Sequence, residues 1–328
     1  MAAPTAPLKV VVTDPVIAGF AEAFTAPGRR VVVIPGEGDE AIADELRDAD
    51  AVVCSRLTPA STASATRLRL VHVTGAGLDR LAPGSVPAGA AVCNTGHHGT
   101  AIAEHVLMAA LLLRRRAAEA DAALRAGRWE SVMTRPDVPF HRMLAGDTIG
   151  IAGAGEIGTA VARLAQAFGM RVVFLRRDPT RPAPDDLAAA TIVGEEGRDA
   201  FFAASDVLVL TVPLSDDTRG MVGAHELSLL PAEAIVVNVA RGPLIDLDAL
   251  ADALDAGRLG GAAIDVWWDA PTDATAPPSV DRLAASRRTL LTPHHSGHAR
   301  EVFAARAADI AANLDRLAAG APLERRVR

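Results

Sequence analysis

The segment Gly153-Ala-Gly155-Glu-Ile-Gly158 constrains this chain more than any other. It follows a short apolar run at 148–152. It opens a stretch with apolar residues at Ile157, Val161, Leu164 and Phe168, one face of a helix. Glycines in a G-x-G-x-x-G pattern between a strand and an amphipathic helix require a βαβ unit. The first glycine permits the tight turn, the second lets a pyrophosphate approach the backbone, and the third lets the helix lie close to the strand. The free N–H groups at the helix start then face an anion. The pattern therefore predicts dinucleotide binding at Gly153, Gly155, Glu156, Ile157 and Gly158.

The rest of the chain repeats this grammar. Val-rich runs at 10–13, 30–34, 51–54, 70–73 and 91–93 read as strands, with a helix-like piece at 39–47. A second series follows at 148–152, 171–175, 207–212, 235–239, 262–266 and 289–292. The runs do not alternate with polar residues, as befits strands buried on both faces of a parallel sheet. One long helix is predicted over 100–126, stopping at Gly127, then an extended arm over 129–144, and a closing helix over 299–319. Prolines make 270–278 a loop. The fold class is α/β, with two Rossmann-like or flavodoxin-like βα domains built on doubly wound parallel sheets.

At 328 residues, with 50% hydrophobic and 22% charged side chains, the composition suits two globular domains. A net charge of −7 without a basic stripe argues against nucleic acid as a partner. Cys54 and Cys93 are too few and too far apart for a disulfide framework or a zinc site. The longest apolar run, 106–113, stops at Arg114-Arg115-Arg116, short of the roughly 20 residues a bilayer requires. No signal peptide is recognisable near Met1, so a cytoplasmic location without membrane attachment is expected. Adjacent histidines such as His97-His98 and His294-His295 rarely chelate one ion together, and no metal is expected.

The slot that carries an acidic residue in NAD-binding units, at the end of the 171–175 strand, holds Arg176, followed by Arg177 and Asp178. A guanidinium there suits the 2′-phosphate of NADP, so NADP is preferred over NAD. Asp178, two residues further on, leaves ribose binding by NAD open.

Several further motifs occur in a fixed order. They are Thr74-Gly75-Ala76-Gly77-Leu-Asp79, Ile102-Ala-Glu104-His105, Val212-Pro213-Leu214 with Thr218-Arg219, Asn238-Val239-Ala240-Arg241-Gly242, Ala263-Ile-Asp265-Val266 and Thr292-Pro293-His294. With the glycine fingerprint, this series resembles the D-isomer-specific 2-hydroxyacid dehydrogenase family, especially its short glyoxylate/hydroxypyruvate reductases. The resemblance implies a substrate-binding domain made from both ends, 1–98 plus 296–328, around a cofactor domain at 99–295. It implies hydride transfer between NAD(P) and a small 2-oxo/2-hydroxy acid, and a homodimer built on the long helix and the arm. By the same resemblance Arg241 binds the substrate carboxylate with its planar guanidinium, and His294 is the acid/base. Backbone N–H groups of Gly75, Ala76 and Gly77 hold the carboxylate as well. Asp265 contacts the nicotinamide carboxamide, and Val212, Pro213, Val239, Ala240 and Gly297 complete the cofactor surroundings.

This sequence also departs from the family. The Glu that usually supports the histidine falls on Ala270, so Asp269, one residue early, is the candidate to replace it. His97-His98 stands where Gly-Asn is common. Trp267 and Trp268 either shape a pocket for a larger 2-oxo acid or wedge their loop in place. The missing Glu also keeps a second function class in view, a catalytically weakened dinucleotide-sensing protein of the corepressor type.

Overall fold

The computed structural model describes residues 7–269 and 275–328. The chain divides into two compact units, Met1–His97 with His298–Arg328, and His98–Gly297.

The first unit contains β1 (Leu8–Val12), β2 (Arg29–Val33), β3 (Ala51–Cys54), β4 (Leu70–Val73) and β5 (Ala91–Cys93). They form one parallel sheet in the order β2-β1-β3-β4-β5, the flavodoxin-like arrangement. The central strands β1, β3 and β4 are buried along their whole length, which explains why they are apolar except for Lys9 and His72. One sheet face packs Val10, Val12, Val53 and Leu70 against Ile310, Leu314 and Leu317 of the helix Arg300–Ala319. The other face packs Val11, Val52 and Val71 against Ile42 and Leu46 of the helix Asp39–Leu46.

The second unit contains β6 (Thr148–Ala152), β7 (Arg171–Leu175), β8 (Thr191–Val193), β9 (Val207–Leu210), β10 (Ile235–Asn238), β11 (Gly261–Ile264) and β12 (Thr289–Leu291). Their order, β12-β11-β10-β9-β6-β7-β8, is the Rossmann order with one added strand, and all pairs are parallel. The order reverses between β6 and β9. In such sheets the crevice outside the carboxyl ends of the strands at this reversal is the ligand site.

The helix expected over 100–126 is two helices, Gly99–Arg114 and Ala117–Arg125. Arg116, in the left-handed region at φ 48°, breaks it. The cause is tertiary. The buried Arg114 guanidinium pairs with Asp147 at 2.6 Å and donates to the Glu233 carbonyl at 3.1 Å, which fixes the end of the first helix. The second helix ends at Gly127 as expected, where φ is 75° and Gly127 N–H reaches the Leu124 carbonyl. Strand β8 escaped the sequence because it is a three-residue, partly exposed edge. Among the described residues no helix is long and apolar enough to cross a membrane. Both cysteines are free and buried, and burial pushes the Cys54 thiol up to about 12.

The free edge of β5 is covered by the chain's last residues. Val327 N–H donates to the Val92 carbonyl and Val92 N–H to the Arg328 carbonyl. Asn313 clasps this tail: its Oδ1 accepts from Glu324 N–H at 2.8 Å, and its Nδ2 donates to the Glu324 carbonyl and to His72 Nε2 at 3.0 Å. The fully buried His72 ring is thereby held neutral, its other nitrogen facing the Val73 carbonyl. Burial lowers its pKa from 6.5 to about 4. Because the folded value lies below the unfolded one, the unfolded chain takes up the proton first as pH falls. The stability is present above pH 6.5 and is lost as pH falls towards about 4. The contribution is roughly 3 kcal/mol. Urea unfolding of the native chain and His72→Gln at several pH values checks this: the native curve should fall more steeply across that window, and parallel curves would refute it.

Candidate active site

The glycine fingerprint lies at the end of β6, beside β9. Gly153, at φ 103°, has no room for a side chain, since a Cβ would sit 2.9 Å from Thr211 Oγ1. At Gly158 a Cβ would meet the Gly153 carbonyl oxygen at 2.1 Å, so the helix Glu156–Ala167 can lie this close only with glycine there. Gly155 caps that helix and differs from both: nothing lies within 4 Å of where its Cβ would stand, and its φ is −85°. The protein itself does not require this glycine. The open space above it, at a helix N-terminus, fits a pyrophosphate. The Glu156 carboxylate reaches Gly99 N–H at 3.3 Å, tying two helices together, and Ile157 is half-buried against the core of this unit. Beyond β9, Val212 and Pro213 begin a turn fixed by Thr218, whose hydroxyl donates to the Pro213 carbonyl at 2.8 Å.

After β7, Arg176 Nη1 donates to the Arg181 carbonyl at 2.9 Å, and Arg177 faces Asp217 at 3.5 Å on the surface. Asp178 accepts from Thr180 N–H and hydroxyl, which holds its carboxyl below the usual range.

Arg241 follows β10 on a turn shaped by the fully buried Asn238. Asn238 Nδ2 donates to the Arg241 carbonyl at 2.8 Å, and its Oδ1 accepts from Ala240 N–H at 3.1 Å. Val239 and Ala240 are buried inside this turn. Gly242 must be glycine, because a Cβ would stand 2.4 Å from the backbone of Trp267.

The neighbouring strand β11 leads to Asp265, 1% exposed. Its Oδ1 accepts from the Thr292 hydroxyl at 2.7 Å and His295 N–H at 2.9 Å, and its Oδ2 from Ser296 N–H at 2.9 Å. Asp265 therefore clamps the turn that carries His294. That turn needs clamping: His294 has φ 56°, a left-handed conformation costing roughly 1–2 kcal/mol for a residue with a Cβ. His294 itself is exposed. His295 packs its ring edge-on against His105 at 5.7 Å, and burial lowers the His105 pKa. Gly297 lies beyond this turn, close to His98 and Ile102.

The tryptophans wedge. Trp267 Nε1 donates to the Thr292 carbonyl at 3.1 Å and Trp268 Nε1 to the Ile245 carbonyl at 2.7 Å. The pair thus links the His294 turn to the segment after Arg241. Asp269, the candidate to stand in for the family Glu, accepts from the hydroxyl and the N–H of Ser279, at the start of the helix Ser279–Ala284. Ala270 lies outside the described residues. Among the described residues no cluster of His, Cys, Asp or Glu can hold a metal ion.

In the first unit, Gly75, Ala76 and Gly77 form the bend that follows β4, with Ala76 and Gly77 exposed. His97, at φ 70°, faces Asp309 at 2.7 Å in the same unit.

Residues 107–296 match the family described as D-isomer specific 2-hydroxyacid dehydrogenase, NAD binding domain. The chain belongs to this family. The glyoxylate reductase of Aeropyrum pernix is 33% identical over 288 residues, covering 86% of this chain and 83% of that one. The crystal structure of TT0316 protein from Thermus thermophilus superposes with a TM-score of 0.82 at 27% identity, over 98% of this chain and 100% of that one. A D-isomer specific 2-hydroxyacid dehydrogenase from Xanthobacter autotrophicus Py2, in complex with NADPH and MES, covers 98% of both chains at 27% identity with a TM-score of 0.77. This 2-hydroxyacid dehydrogenase is accordingly an oxidoreductase that uses a nicotinamide cofactor.

Sequence reasoning found the motif residues but missed Asn238 as the shaper of the Arg241 turn and Asp265 as the clamp. Both stand inside the quoted motifs, and only the folded turns show which atoms they bind.

The glycines give a sharp test. Gly158→Ala should lose about 1–3 kcal/mol of stability. Gly155→Ala should leave the melting temperature of the cofactor-free protein unchanged, yet weaken nicotinamide-dinucleotide binding about tenfold or more, read by fluorescence titration. Unchanged binding in Gly155→Ala would remove the pyrophosphate from this turn.

Proposed function

We propose that this 2-hydroxyacid dehydrogenase reduces a small 2-oxo acid of the glyoxylate or hydroxypyruvate class, with NADPH as the preferred cofactor. The observation that carries the reading is the coupling of two turns. Asp265 N–H donates to the Asn238 carbonyl at 3.1 Å, so the Arg241 turn after β10 and the His294 turn clamped by Asp265 are held by adjacent strand ends.

The nicotinamide, when bound, supplies the hydride. Arg241 would hold the substrate carboxylate through parallel N–H donors and orient the keto carbon. In the first unit, the N–H groups of Gly75, Ala76 and Gly77 would bind a substrate carboxylate. His294 would hand a proton to the keto oxygen as it gains charge, and take it back in the oxidation direction. Gly153, Gly155 and Gly158 would cradle the pyrophosphate, with Asp265, Val212, Pro213, Val239, Ala240 and Gly297 around the rest of the cofactor. The NADP preference rests on Arg176 and Arg177 at the ribose end of β7, and on the NADPH of the Xanthobacter structure. The substrate class rests on the glyoxylate reductases among the relatives.

The same reading carries a homodimer. The arm exposes Trp129 at 67%, Met133 and Phe140 at 87% and Met143 at 70%, which a second copy would cover. Light scattering of the purified protein checks this, and a monomer at micromolar concentration would refute it.

The activity test follows NADPH or NADH loss with glyoxylate, hydroxypyruvate, pyruvate and phenylpyruvate. Glyoxylate or hydroxypyruvate should turn over fastest, and Arg241→Ala and His294→Ala should each lower kcat/KM by about a hundredfold or more. Arg176→Asp should move the preference towards NADH. Faster turnover of phenylpyruvate would overturn the substrate class, and a native preference for NADH would overturn the role of Arg176.

A further inference from the structure

The bend after β4 is held in an unusual way. Three successive carbonyls, those of Thr74, Gly75 and Ala76, all accept hydrogen bonds from one short segment that follows β5. The Thr95 hydroxyl donates to Thr74 at 2.9 Å, Thr95 N–H to Gly75 at 3.2 Å, and Asn94 Nδ2 to Ala76 at 2.9 Å. In a planar trans peptide the carbonyl and the following N–H point in opposite directions. Fixing these carbonyls on Asn94 and Thr95 therefore turns the N–H groups of Gly75, Ala76 and Gly77 away from that segment. Successive N–H groups turned out from a bend form a concavity that favours an anion.

The two supports are themselves held. Thr95 is fully buried, so its hydroxyl has a fixed partner. Asn94 Oδ1 faces Arg325 Nε at 3.5 Å and Asn94 N–H reaches the Arg325 carbonyl at 3.3 Å, which orients the amide towards Ala76. The other end of the bend is pinned by Asp14. Its Oδ2 accepts from the Thr74 hydroxyl at 2.7 Å, while its Oδ1 accepts from Val16 and Ile17 N–H.

We propose that Thr95 and Asn94 are positioning residues for the 2-oxo acid. They never touch it, and they act by aiming the N–H groups of Gly75, Ala76 and Gly77 at its carboxylate. The proposal rests on the reading that these N–H groups bind the substrate. A positioning role of this kind affects the substrate and spares the cofactor and the proton transfer.

The test uses the full chain with glyoxylate and NADPH. Thr95→Val keeps the shape and removes the hydroxyl, Thr95→Ser restores it, and Asn94→Ala removes the amide. Ala76→Pro deletes one N–H directly, with Gly77→Pro in reserve should that variant not fold. Thr95→Val and Asn94→Ala should each raise the glyoxylate KM about tenfold, the worth of one well-made hydrogen bond. The NADPH KM and the pH profile of kcat should not move, and Thr95→Ser should return the glyoxylate KM to within about twofold. If Ala76→Pro raises the glyoxylate KM while Thr95→Val and Asn94→Ala do not, the N–H groups bind substrate but these residues do not aim them, and the proposal fails alone. If the N–H deletion leaves the glyoxylate KM unchanged, the reading beneath it fails. Parallel changes in both KM values and in melting temperature would mark a general packing role and overturn the proposal.

Discussion

Asp265 is a carboxylate at the carboxyl end of a fully buried strand, and it has almost no contact with water. Removing a charged group from water is expensive unless hydrogen bonds replace its hydration. Three donors from the Thr292–Ser296 turn do so here, and two are backbone N–H groups that exist in any sequence. The same turn carries His294 in its left-handed conformation, so the bonds that satisfy Asp265 also hold the turn on which His294 stands. The acid/base candidate is thus fixed by the fold's own need to satisfy a buried charge. Trp267 reinforces the arrangement by bonding to the Thr292 carbonyl from the same strand end.

A related device shapes the other turns. Asn238 uses both ends of its amide on the backbone around Arg241, and Asn94 spans the Arg325 side chain and the Ala76 carbonyl. An amide is suited to this because it donates and accepts from one rigid plane. In each case a polar side chain sets the direction of the backbone beside a candidate substrate group.

The strands β3 to β7 were legible to the residue, because a strand inside a parallel sheet is mostly apolar and does not alternate with polar residues. The fingerprint was legible because three glycines at fixed spacing have separate steric reasons, two of them visible as contacts too short for any Cβ. The rest needed three dimensions. Nothing in Arg114-Arg115-Arg116 announces a helix break, since arginine favours helices; the break comes from Asp147 and Glu233, distant in sequence. The bonds from Ser279 to Asp269 join residues ten apart across a loop, and no spacing announces them. Thr95 and Asn94 carried no motif, because their role consists only of the carbonyls they meet.

The first unit draws its sheet from residues before His98 and one of its covering layers from residues after Gly297. A ribosome reading from the amino end makes the sheet, then the whole second unit, and only afterwards the helix Arg300–Ala319. At ordinary synthesis rates the interval is roughly 10–40 s. Throughout it, Val10, Val12, Val53 and Leu70 lack the Ile310, Leu314 and Leu317 that cover them in the finished protein. The nascent chain therefore carries an apolar sheet face through most of its birth, and the second unit is free to be folded before the first is closed.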